Sequence, residues 1–142
     1  NAAAARLKEV EQVAPQFPTL HYQIAQTYLL QQRYSLALRE LEQESFDDWK
    51  LHGQAILYSL TNSPSKADST LKLFIDQYKD VSAFQIAQVY GARKDNDQAL
   101  AWLEVAYQQR DCGLTTTNGN PCLRSLENDA RSTQFLKKLS LK

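Results

Sequence analysis

The chain has no methionine and, in 142 residues, only two cysteines, two histidines, four glycines and four prolines. With so few breakers, long stretches rich in Ala, Leu and Gln run uninterrupted, which argues for an all-α fold. A chain of this length buries roughly 68–70% of the surface it exposes when unfolded, so a stable core needs no covalent staple. Charge of one sign is lacking too: 16 Lys and Arg balance 16 Asp and Glu. A surface with zero net charge exerts no global attraction on nucleic acid or on anionic lipid. No apolar run approaches the ~20 residues that a membrane span requires. The sequence contains no P-loop, no G-x-G-x-x-G, no G-x-S-x-G and no basic stripe, so it carries none of the phosphate-cradling, serine-nucleophile or nucleic-acid chemistry those patterns support. It opens Asn1-Ala2 without an initiator Met or a secretory signal. A fragment of a larger protein is therefore expected, with any membrane or targeting segment outside it.

What is present is a repeat. Tyr28, Tyr58 and Tyr90 stand 30 and 32 residues apart. Each is preceded three residues earlier by Ala25, Ala55 and Ala87, and followed nine residues later by Ala37, Ala67 and Ala99. Four residues beyond those lie Leu41, Leu71 and Leu103. This order reads as a helix pair. A small residue lets the first helix approach the second, and the Tyr ring fills the wedge behind it. The second Ala sits at the tight crossing, and the Leu one turn on packs back. The order is that of the tetratricopeptide repeat (TPR): an aromatic-and-small first helix, then Ala at the start of the second. The chain departs from that consensus in its shorter period and in Ala where the first helix has Gly.

The expected architecture is an all-α, TPR-like solenoid forming one domain over 1–142. A partial repeat occupies 3–15, with Ala3, Leu7 and Val10 on an orphan helix that Pro15 ends. Repeats follow at 18–46, 48–79 and 80–110. The predicted helix pairs are Thr19–Gln32 with Ser35–Gln43, Asp48–Leu60 with Ser65–Tyr78, and Ser82–Arg93 with Asn96–Gln109. Breaks fall at Gln16-Phe17-Pro18, Phe46-Asp47-Asp48, Asn62-Ser63-Pro64 and Lys94-Asp95, and Ser65 and Asn96 are candidate N-caps. Residues 111–121, rich in Thr, Gly and Asn, read as a loop. A short helical turn at Pro121–Leu126 leads into a carboxy-terminal cap over 122–142. Its last helix, Ala130–Leu139, is capped by Asp129 and carries a stripe of Phe135, Leu136 and Leu139. A solenoid needs such a terminal element to close its end.

The third repeat supports a narrower likeness. Ala83-Phe84-Gln85-Ile86-Ala87-Gln88-Val89-Tyr90, then Ala99 through Asp111, with Asn128-Asp129-Ala130-Arg131 and Phe135-Leu136-Lys137-Lys138-Leu139, resembles the carboxy-terminal TPR segment of certain bacterial membrane signalling proteins. Leu51, Gly53, Ala55 and Tyr58 look like the helix before it, so the resemblance covers about residues 48–142. In that family the segment follows a class III adenylate cyclase, winged-helix or protein kinase domain, often with a transmembrane helix between. Lys94 stands where the family has Gly, and Thr115–Asn120 replace its usual lead into Pro.

In a TPR stack the first helix of each pair lines a concave face. The repeat places Tyr22, Gln26, Trp49, His52, Ile56, Phe84 and Gln88 there, an aromatic and amide-bearing groove suited to a peptide. The alternative is that these side chains pack against neighbouring helices or face water. They do not supply the Lys, Arg and Asn clamp of chaperone-binding TPRs. His21 and His52 have no Cys, Asp or Glu at metal-ligand spacing, so no metal site and no catalytic residue is expected. The acidic runs Glu40–Glu44 and Asp47-Asp48 read as solvated helix faces. Cys112 and Cys122 bracket the loop. They form either two free thiols or, in a family often exported past a membrane helix, a disulfide worth about 2.5–3 kcal/mol. A bond would place the domain outside the cytoplasm.

The expectation is a non-catalytic module with no cofactor that binds a protein or peptide, as the interaction or sensory part of a signalling protein. The alternative is a regulatory carboxy-terminal part of an enzyme such as an adenylate cyclase. Leu7, Val10 and Val13 on the orphan helix offer a route to a homodimer. Neither nucleic acid nor direct membrane binding is expected.

Overall fold

The computed structural model of the chain describes residues 2–15 and 17–139, and these are all helical or connecting, with no strand among them. Gln16 in the first expected break and residues 140–142 of the expected cap lie outside the described residues. Eight α-helices are described: α1 (Ala2–Val13), α2 (Leu20–Leu30), α3 (Tyr34–Gln43), α4 (Asp47–Leu60), α5 (Pro64–Tyr78), α6 (Ala83–Ala92), α7 (Asn96–Gln109) and α8 (Ala130–Lys138). Two 3-10 helices, Cys112–Thr116 and Pro121–Leu126, lie between α7 and α8. None of the described helices is long and apolar enough to cross a membrane.

By packing, the chain divides into two compact units, Asn1–Thr70 and Leu71–Lys142. The division falls inside the expected second repeat, 48–79. In the first unit α2 and α3 form a helical hairpin, with α1 against α2, and α4 against both. In the second unit α6 and α7 form the corresponding hairpin, and the 3-10 helix Pro121–Leu126 packs on α6.

The repeat pattern maps onto the core. Ala25, Ala55, Ala87, Ala37, Ala67, Ala99, Leu41, Leu71 and Leu103 are all 3% exposed or less. Alanine at these crossings leaves room for close approach, and each Leu fills the space one turn along. Gly53 goes further: a Cβ there would lie 2.3 Å from Leu41 Cδ2.

The turns between helices differ for a chemical reason. After α2, Gln32 takes a left-handed φ of 58°, and Arg33 N–H donates to the Tyr28 carbonyl at 2.9 Å. After α6, Lys94 takes φ 61°, and Asp95 N–H donates to the Tyr90 carbonyl at 3.0 Å. Both are left-handed helix stops built without glycine. After α4 the chain turns otherwise: Thr61 is extended and Pro64 opens α5. Proline is suited to a first helical position, where its missing N–H is no loss, and it biases Ser63 towards extended backbone. The helix therefore starts one residue before the expected Ser65 cap. Likewise the cap of α7 is Asp95 rather than Asn96, its carboxylate accepting from Gln98 N–H at 3.2 Å. Asp129 caps α8 as expected, accepting from Arg131 N–H at 3.0 Å.

The expected loop 111–121 holds a 3-10 helix and is ordered by side-chain to backbone hydrogen bonds. Asp111 accepts from Gly113 N–H at 2.8 Å and from Phe84 N–H at 3.3 Å. Leu114 is buried, and the Thr117 hydroxyl donates to its carbonyl at 2.7 Å. Leu123, Leu126 and Phe135 then close the apolar end of the α6–α7 pair. Two glycines permit this closure. A Cβ at Gly113 would meet Phe84 Cδ1 at 2.4 Å, and one at Gly91 would meet the Cys122 carbonyl oxygen at 2.5 Å.

Candidate functional site

The amino-terminal end of α2 organises the polar chemistry of the first unit. Thr19, its cap position, has a left-handed φ of 60° and makes no side-chain cap. The first-turn N–H groups of a helix need acceptors and carry partial positive charge. Glu44 supplies one from α3's end: Oε2 accepts from Tyr22 N–H at 3.0 Å, while Oε1 accepts from Phe46 N–H at 3.0 Å. Glu44 is 2% exposed. Glu40, one turn earlier on α3, is 6% exposed. The acidic run is thus not a solvated face: Glu40 and Glu44 point inward at four-residue spacing, and Glu42 between them is exposed.

Tyr22 then meets α4. Its hydroxyl and His52 Nδ1 are hydrogen-bonded at 2.9 Å. Tyr22 and Trp49 rings lie 4.8 Å apart between centroids, Tyr22 and His52 5.6 Å, and Trp49 and His52 6.2 Å. His52 is 1% exposed, and burial pushes its imidazole down to about 3, so it is neutral at physiological pH. Tyr22 and Trp49 stay half-buried above it. The result is an aromatic platform with a polar tie at its floor.

On another side of α2, His21 joins a charged cluster. Its Nδ1 lies 3.0 Å from Glu40 Oε2 and 4.0 Å from Glu11 Oε1. Lys8 Nζ bridges the same two carboxylates, at 2.7 Å from Glu40 Oε1 and 2.9 Å from Glu11 Oε2. Burial alone would lower the Lys8 ammonium, but hydrogen bonds to Glu11 and Glu40 outweigh it and hold the group above its ordinary value. Sequence spacing hid this cluster, because its members come from α1, α2 and α3.

The seven expected groove residues separate accordingly. Tyr22, Trp49 and His52 come together, and Gln26 lies one turn along α2 from Tyr22. Ile56 and Phe84 are core residues, not groove lining: each is 2% exposed, Phe84 beneath Gly113. His52, too, is floor and not surface. Gln88 is half-buried on α6 in the second unit. No family model matches the chain, and no curated protein and no solved structure matches it.

Of the two alternatives for Cys112 and Cys122, the structure has both thiols free. Cys112 is exposed at the start of its 3-10 helix. Cys122 is half-buried at the seat formed by Gly91, and burial pushes its thiol up to about 11. Apolar packing and hydrogen bonds hold the segment instead: the Ser125 hydroxyl donates to the Gly91 carbonyl at 3.3 Å, and Asn96 Nδ2 donates to the Ser125 carbonyl at 3.1 Å. The sequence-based reason for an extracytoplasmic location goes with the bond.

The second unit also has a cleft of about 490 Å³ between α7 and α8, crossed by ion pairs of Arg131 with Asp97 at 2.7 Å and Lys138 with Glu104 at 2.5 Å. Lys138 also sits 4.0 Å from the Tyr107 ring centroid. Nothing in the periodicity of α7 or α8 marks this cleft. The expected orphan-helix stripe is uneven: Leu7 is half-buried, Val10 borders on exposed, and Val13 is 84% exposed.

Proposed function

We propose that this chain is a non-catalytic, TPR-like module that binds an extended peptide segment of another protein through the α2–α4 face of its first unit. The observation that carries this reading is the half-buried Tyr22–Trp49 pair held over His52. Aromatic side chains fixed on rigid helices give large contact area at little entropic cost, and such pairs are typical binding anchors. Gln26, one turn along α2 from Tyr22, has a buried side-chain N–H group with no protein acceptor. That donor suits a peptide carbonyl reached by a small side-chain movement. The threefold Tyr, Ala and Leu pattern supports the repeat assignment. The resemblance of residues 48–142 to TPR segments of bacterial signalling proteins supports a role in signal transduction.

Selection from a displayed peptide library tests this. Binders should lose at least about tenfold in affinity on Trp49→Ala, the scale of a hot-spot truncation, with helix content unchanged. Trp102→Phe, in the second unit, should leave affinity unaltered. Binders indifferent to Trp49→Ala, or a library that yields none, would contradict the proposal.

A further inference from the structure

We propose that Glu11, His21 and Glu40 form a site for a transition-metal dication, with zinc the best match, and that Lys8 holds the site in the metal's absence. The three donor atoms lie within 4.8 Å of one another, and Glu40 is buried. Four-coordinate zinc with bonds near 2.0 Å needs ligand atoms about 3.3 Å apart. His21 Nδ1 and Glu40 Oε2 already stand at 3.0 Å, and Glu11 Oε1 at 4.0 Å from the same nitrogen, so a small rotation of Glu11 completes the triangle.

The ligands come from three helices, α1, α2 and α3, whose packing fixes where each side chain starts. An imidazole with two carboxylates favours zinc and its first-row neighbours over magnesium and calcium, which prefer an all-oxygen shell.

Charge favours a dication as well. Glu11 and Glu40 bring two negative charges, and Lys8 returns one. The two carboxylates, one of them the buried Glu40, outnumber the Lys8 ammonium. A dication that displaces the Lys8 ammonium would balance the two carboxylates. Lys8 reaches both carboxylates from α1 with its side chain 37% exposed, so its ammonium can withdraw to water. A water molecule would take the fourth position, and the bound ion would tie α1 to the α2–α3 hairpin. No other histidine among the described residues is accessible, since His52 is buried.

Calorimetry with zinc chloride on the chelator-treated full chain tests the site. One equivalent should bind. His21→Ala and Glu40→Gln should each weaken binding by at least about tenfold. Lys8→Met removes the competing cation and should tighten it. A simple ion-pair network predicts the reverse for Lys8→Met, which would then only destabilise the fold. Circular dichroism on His21→Ala, whose side chain is partly exposed, separates loss of a ligand from loss of structure. Cobalt(II) gives an independent reading: visible d–d bands without a thiolate charge-transfer band support the site. Absence of zinc binding, binding unchanged by His21→Ala, weaker binding in Lys8→Met, or a thiolate band from Cys112 would overturn it.

Discussion

The two units use the same helix-pair pattern and close it in opposite ways. The first buries polar groups: Glu40, Glu44 and His52 lie inside, each tied to α2. The second closes with Leu114, Leu123, Leu126 and Phe135, fitted over Gly91 and Gly113. Apolar closure of this kind gives stability and little chemistry. Buried polar groups cost desolvation, and their partners become fixed in return. The first unit is therefore where the buried polar chemistry concentrates, and the second is a well-packed end.

The pH dependence of stability should separate the two most strongly. His52 is held near 3 in the folded chain and titrates near 6.5 when unfolded. Between those values the unfolded chain binds the extra proton, so stability falls as pH falls. From pH 6.5 to 4 the loss should be about 3 kcal/mol in urea melts. His52→Leu should flatten that slope. An unchanged slope would remove the contrast between a polar and an apolar interior.

Gly91→Ala should cost about 2–3 kcal/mol, because the added methyl meets a backbone carbonyl that a rotamer change cannot relieve. Gly53→Ala meets only the end of the flexible Leu41 side chain and should cost less. Equal losses in thermal denaturation would deny Gly91 its special role as the seat of the closing segment.

Cys122 gives the second unit its own pH signature, at the alkaline end. Its thiol is raised from 9 to about 11, so above pH 9 the unfolded chain loses a proton that the folded chain keeps. Stability should fall there by about 1–2 kcal/mol as pH approaches 11, discounted for partial exposure. The difference between the parent chain and Cys122→Ala measures it.

The smallest expected effect is a gain. Lys94 holds a left-handed conformation that glycine adopts without strain. Lys94→Gly should stabilise by about 0.5–1 kcal/mol. Destabilisation would mean that the Lys94 side chain makes a contribution its backbone geometry hides.

The helices were legible in the sequence because their signals are local and periodic. Tyr28 and Tyr90 with their alanines mark the α2–α3 and α6–α7 pairs, and breaks at Pro18, Asn62-Ser63-Pro64 and Asp95 set the ends to within a residue or two. The interior polarity was not legible. Glu40 and Glu44 are ordinary helix-surface residues by type, and only the position of α2 turns them inward. The charged cluster was hidden for the same reason, since Glu11, His21 and Glu40 share no sequence spacing. Of the candidate residues, Tyr22, Trp49 and His52 lie together. Register alone could not tell that Ile56 and Phe84 are core. The packing of the 111–126 segment was hidden because its apolar anchors, Leu114, Leu123 and Leu126, are spread too thinly to show a period.

The most direct test of the proposed role is an amide and indole NMR footprint of a selected peptide on the isotope-labelled chain. The largest shifts should fall on the Trp49 indole and on the amides of Tyr22 and Gln26, with the α7–α8 cleft unmoved. A footprint centred on Asp97, Glu104, Arg131 and Lys138, with Trp49 silent, would contradict it.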